Sequence, residues 1–149
     1  MFDDNLKLSG QLTIVLRDKN GNVKEERTEE NLVVTTGLGY IASRMKDASA
    51  TAMTHMALGS GTTNAAAGQT DLVTLLGARE ALDSTTVTAN AVAYVASFEA
   101  GDATGAVTEA GIFNAASGAT MLCRVKFDVV NKAADDTMTV TWTITVSAS

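Results

Sequence analysis

The sequence predicts a mainly β protein: a β-sandwich or jelly-roll-like fold of about eight or nine strands, with one short α-helix near residues 37–46. Three observations carry this. Apolar residues recur at every second position along several stretches, the period of a strand with one buried face. Many of these stretches are separated by turn residues at spacings of roughly 8–12 residues, as in sandwiches and barrels. Threonine, alanine and glycine are plentiful and proline is absent, so turns fall to Gly, Asn, Asp and Ser.

The elements follow in chain order. Leu6, Leu8, Gly10, Leu12, Ile14 and Leu16 alternate with more polar neighbours and predict a long half-buried strand. Asn20-Gly21 then suits a type I′ hairpin turn, because both residues tolerate positive φ. The return stretch from Asn22 to Val34 is charged early and apolar late, so it enters the core near Leu32. Leu38, Ile41, Ala42 and Met45 keep helical spacing, with Thr35 or Thr36 as the N-cap. MTHMALG reads as a strand, GSGTTNAAAGQTD as a flexible loop, and DLVTLLG as a helical turn. AREALDSTTVT and NAVAYVASFEA follow as strands, with Val92, Tyr94, Ala96 and Phe98 sharing a face. VTEAGIFNA and ATMLCRVKFDVV add two more, and NKAADD separates the latter from the last strand. There Met138, Val140, Trp142, Ile144 and Val146 alternate with Thr137, Thr139, Thr141, Thr143 and Thr145.

The 149 residues suffice for one domain, residues 1–149, with a core large enough to need no staples. The single cysteine, Cys123, sits among apolar neighbours and reads as a buried, inert thiol. The net charge of −6 comes with no Lys/Arg cluster, so nucleic acid is not an expected partner. No run of about 20 apolar residues is present to span a bilayer, and the acidic MFDDN start does not resemble an export signal. The expectation is a soluble protein made in the cytoplasm.

Motifs for chemistry are weak. Gly37-Leu38-Gly39-Tyr40-Ile41-Ala42 matches G-x-G-x-x-A, but no acid follows the next strand and no alternation of strands and helices ensues, so it reads as a glycine-rich corner. GSGTTNAAAGQT lacks the lysine of a phosphate loop. His55 is the lone histidine and reads as an ordinary strand residue. Glu99, Asp102 and Glu109 lie among glycines without the pattern of a Ca²⁺ loop. Glu80, Asp83 and Glu109 read as solvated carboxylates. The expectation is a non-enzymatic protein with no catalytic residue, metal, cofactor or small-molecule substrate.

Several phrases occur together: NLVVTTGLGYIASRM, HMALGSGTTNAAAGQTDL, TGAVTEAGIFNAASGATMLCRVKF and TVTWTITVS. Their combination, from about Asn31 to Ser147, resembles small virion structural proteins of tailed bacteriophages. The resemblance implies a virion part: a capsid decoration (cement) protein on the capsid exterior, made in the bacterial host cytoplasm. Its implied partners are the major capsid protein and further copies of itself, as a dimer or trimer. A tail or tail-fibre adaptor is the alternative, and a sugar-binding or hydrolytic β-sandwich a more distant one.

The threonine face bears on these readings. Threonine suits strands, and its hydroxyl and methyl tolerate both water and protein contact without the desolvation cost of a charge. Thr139, Thr141, Thr143 and Thr145 therefore read either as a solvent face chosen for β propensity or as an interface. A long strand without charge also suits pairing across subunits. Residues 1–5 read either as an N-terminal arm anchored by Phe2 or as a loose terminus.

Overall fold

The computed structural model describes residues 5–46 and 51–148. Phe2 lies outside the described residues. Ten strands and one helix follow in order: β1 (Leu6–Arg17), β2 (Val23–Glu30), β3 (Leu32–Val33), α1 (Thr35–Arg44), β4 (His55–Gly59), β5 (Glu80–Ala81), β6 (Ser84–Thr88), β7 (Ala91–Phe98), β8 (Gly105–Phe113), β9 (Met121–Lys132) and β10 (Thr137–Ala148). They form two five-stranded antiparallel sheets. Sheet A has the order β2-β1-β10-β7-β6 and sheet B the order β3-β9-β8-β4-β5. The architecture is the expected sandwich. The strand count exceeds eight or nine because β3 and β5 have two residues each, too few to display a period.

The alternating residues meet between the sheets. Leu12, Ile14 and Leu16 of β1, Tyr94, Ala96 and Phe98 of β7, and Met138, Val140, Trp142 and Ile144 of β10 project inward from sheet A. Met56, Leu58, Ala110, Ile112, Cys123, Val125 and Phe127 meet them from sheet B. Burying each large apolar side chain stabilises the fold by about 1.5–3 kcal/mol. Trp142, fully buried, is the largest of them. The chain passes from one sheet to the other at Asn31, between β2 and β3, and again between β5 and β6, β7 and β8, and β9 and β10.

Several local expectations change. β10 is a central strand, paired with β1 from Thr137 to Ala148 and with β7 from Met138 to Thr145. It has no free edge with which to pair another subunit; its exposed surface is a face. The hairpin at Asp18–Asn22 is not type I′. The Gly21 amide donates to the Asp18 carbonyl (3.0 Å), and the Asp18 carboxylate accepts the Asn20 and Asn22 amides. Only Gly21 takes positive φ, +84°, which gives a type I turn closed by a glycine bulge.

Helix α1 spans Thr35–Arg44 rather than 37–46 and has no side-chain cap. The Thr36 hydroxyl instead donates to the Met121 carbonyl (3.1 Å). Gly37 lies against β9, where a Cβ would overlap the Leu122 carbonyl oxygen. The first glycine of the dinucleotide-like motif thus serves close helix-to-strand packing. Entry to the core comes at Val34, which is fully buried, while Leu32 stays partly exposed. DLVTLLG forms no helical turn.

At one corner of the sandwich, between β9 and β10, Asp136 is buried and accepts the Lys24 ammonium (2.7 Å) and the Ala133 amide (2.8 Å). The Lys24 hydrogen bond, followed by that amide, holds the Asp136 carboxyl below the usual carboxylate range. This fastens the β9–β10 connection to β2.

Candidate functional site

The sheet registers assemble the outer face of sheet A row by row. Across the middle run Thr28, Thr13, Thr141, Val95 and Ser84. On one side lie Glu30, Gln11, Thr143, Ala93 and Thr86; on the other, Glu26, Val15, Thr139 and Ser97. A further row holds Ser9, Thr145, Ala91 and Thr88. Thr139, Thr141, Thr143 and Thr145, which the sequence left as either a solvent face or an interface, stand in one line along the central strand. Thr141 is exposed, and the other three are half-buried by the side chains beside them.

This spacing follows from the ladder. Cross-strand neighbours on one face have Cβ atoms about 4.5–5.5 Å apart, so small β-branched side chains pack flank to flank. Thr13 and Thr28 bring their hydroxyls to 3.4 Å in this way. The result is a low surface of methyls and hydroxyls. Its charges stand at the margins: Lys7 and Arg17 near the two ends of β1, Glu26 and Glu30 on β2, and Asp83, whose carboxylate accepts the Ser97 hydroxyl (2.6 Å). A half-open hollow of about 450 Å³ at one end is lined by Lys7, Ser9, Gln11, Glu30, Thr143 and Thr145 among others, with no aromatic ring.

The outer face of sheet B is built differently. Residues 60–79 lie across it, and their anchor is Glu109 of β8. Glu109 and Arg124 of β9 are both fully buried, with Arg124 Nη2 2.6 Å and Nε 3.0 Å from Glu109 Oε2. The same carboxylate accepts the amides of Gly61 (3.0 Å), Val73 (3.0 Å) and Thr74 (2.8 Å). Arg124 Nη1 donates to Gln69 Oε1 (3.0 Å), which also accepts the Ala66 amide. Burial pushes the Glu109 carboxyl up, but the amides of Thr74 and Val73, the guanidinium and the Gly61 amide together hold it below its ordinary value. Beside this clamp Leu72 packs on Val34, Ala57, Phe113 and Met121. Arg79 lies over the Phe113 ring, 3.5 Å from its centroid, and donates to the Ala115 and Gly118 carbonyls.

Two expectations are corrected here. Glu109 is no solvated carboxylate; it is fully buried and accepts three backbone amides and the Arg124 guanidinium. The GSGTTNAAAGQTD segment is not a free loop, because its backbone is tied to that carboxylate. The signal in the sequence was Arg124 itself, a charge directly between the core residues Cys123 and Val125.

The other singled-out residues serve structure. Cys123 is buried in the core, and burial raises its thiol pKa well above the ordinary value. His55 is half-buried on β4, its Nδ1 2.7 Å from the Thr54 hydroxyl. Glu99 and Asp102 form a turn in which the Asp102 carboxylate accepts the Glu99 amide, while Glu109 is bonded to Arg124 and the Gly61 amide. Among the described residues, no group of three or more His, Cys, Asp or Glu side chains is placed to hold a metal ion. No helix among them is long and apolar enough to cross a membrane.

Comparisons with protein-family models, with curated proteins and with solved structures find no match to this chain. The site must be read from its own chemistry. The open face of sheet A offers threonine hydroxyls and methyls across the width of the sheet. It brings together no nucleophile, base and oxyanion donors of the kind acyl or phosphoryl transfer requires.

Proposed function

We propose that the protein is a structural component of a bacteriophage virion, a capsid decoration protein that binds and stabilises the assembled head shell. The observation that carries this reading is the uncharged centre of the outer face of sheet A, in which the threonine row of β10 is flanked by Thr13, Val15, Ala93 and Val95. A surface of that composition desolvates at low cost because no charge must be stripped of water. The resemblance of the TEAGIFNA, ALGSGTT and terminal strand phrases to phage virion proteins supports the setting.

In this reading the face seats on the major capsid protein, and contacts between copies add to it. Each joint is weak, and repetition around a closed shell supplies avidity that one joint lacks. The net charge of −6 keeps the free protein soluble before assembly. The clamp on sheet B keeps the block rigid, so contact energy is not spent on ordering the long 60–79 segment.

Copy number in purified particles tests the proposal. Quantitative gel densitometry of intact virions gives hundreds of copies per particle for a head decoration protein. A handful of copies places the protein in the tail, as an adaptor, and absence from particles removes the virion reading.

A further inference from the structure

We infer that β6 is a dimerisation edge, at which a second copy of this chain adds its own β6 antiparallel across a two-fold axis. Each sheet presents two edges, and three of the four are blunted. β3 and β5, the edges of sheet B, are two residues long. β2, one edge of sheet A, carries Lys24, Glu25, Glu26, Arg27, Glu29 and Glu30, the charged guard expected of a strand that must stay single. β6, the opposite edge, reads Ser-Thr-Thr-Val-Thr, and all five of its residues are exposed. It has no charge, no proline and no register shift against β7. A regular, uncharged row of backbone donors and acceptors that no described strand pairs is a template for another strand.

The composition selects the occupant. Antiparallel pairing of identical edges is self-complementary and closes after two subunits. Centred on Thr86, it sets Thr86 against its own copy and Thr85 of each chain against Val87 of the other. No like charges meet along the seam, even though the whole chain is acidic. Val87, 69 % exposed, is the most exposed apolar side chain of sheet A's interior-facing rows after Leu6. It borders an apolar groove of about 350 Å³ lined by Tyr40, Ile41, Met53, Val92 and Tyr94 among others. A second β6 extends the sheet past Val87 and covers the rim of that groove. The outer threonine face then runs unbroken through both copies, because Ser84, Thr86 and Thr88 share it.

The inference deepens the oligomeric part of the proposed function, but it needs no phage particle. A dimer in solution that adds to no particle, or addition to particles by a monomer, tells the two apart. A five-residue strand pair is a small interface, so the expected dissociation constant is in the micromolar range or weaker. Sedimentation of the full-length protein up to about millimolar concentration should show a monomer–dimer equilibrium. Thr86→Lys, which opposes two ammonium groups at the axis, should weaken it at least tenfold while leaving the melting temperature unchanged. As an independent trap, Thr86→Cys should form a disulfide-linked dimer in a redox buffer at least tenfold faster than Thr28→Cys on the charged edge, since paired strands hold Cα atoms within disulfide range. Cys123 is buried and does not compete. A monomer at every concentration, a dimer indifferent to Thr86→Lys, or equal crosslinking at Thr28 and Thr86 overturns the inference.

Discussion

The two outer faces of this sandwich receive opposite treatment. Sheet B is covered: residues 60–79 lie over it, and a buried Glu109–Arg124 pair gathers their amides and the Gln69 side chain into one network. Sheet A is bare: five strands wide, with threonine, serine, alanine and valine at its centre. The fold seals one face with its own chain and leaves the other open, with no charge at its centre. The covered side ties a long segment to the sheet, and in the proposed reading the open side makes the contacts.

The largest effect expected from breaking this contrast is on the covered side. Glu109→Gln leaves the Arg124 guanidinium buried without its counter-charge, a loss of about 3–5 kcal/mol for a broken buried pair. Urea denaturation should show it, and amide exchange at Gly61, Val73 and Thr74 should accelerate in the same variant. The pair also makes stability depend on pH. Because the folded Glu109 carboxyl titrates below its unfolded value, its contribution is complete above the ordinary carboxylate range and disappears as pH falls through the folded value. Urea midpoints of the wild type should decline on acidification over that window, and Glu109→Gln should flatten the decline.

A smaller effect is expected at the helix. Gly37→Ala drives a methyl into the Leu122 carbonyl and should destabilise by about 1–3 kcal/mol, as overpacking does. A thermal melt reads it directly. Smallest of all is the open face, where Thr141→Lys with Thr143→Lys should change stability by no more than about 0.5 kcal/mol per substitution, the usual range for surface changes.

The same contrast explains what the sequence disclosed. β1, β7 and β10 bury one face and expose the other, so their period-two pattern was plain, and Trp142, Phe98 and Leu12 could be assigned to the core. β8 from Val107 onward and β9 up to Phe127 are covered on both faces, so no alternation there marks which side Glu109 and Arg124 occupy. Nothing in residues 60–71 announces anchoring, because the bonds run from backbone amides to a carboxylate distant in sequence. The centrality of β10 was also hidden: alternation reports which residues face the core, not which strands lie alongside. The threonine row was legible as a face, and its extent across β1, β7 and β6 emerged only from the registers.

The most direct test adds purified protein to phage heads assembled without it and compares the wild type with the Thr141→Lys/Thr143→Lys variant. Saturating wild-type binding should contrast with at least a tenfold loss for the variant, which nonetheless melts at the wild-type temperature. Equal occupancy of the shell by the two proteins would contradict the assignment of adhesion to the open face.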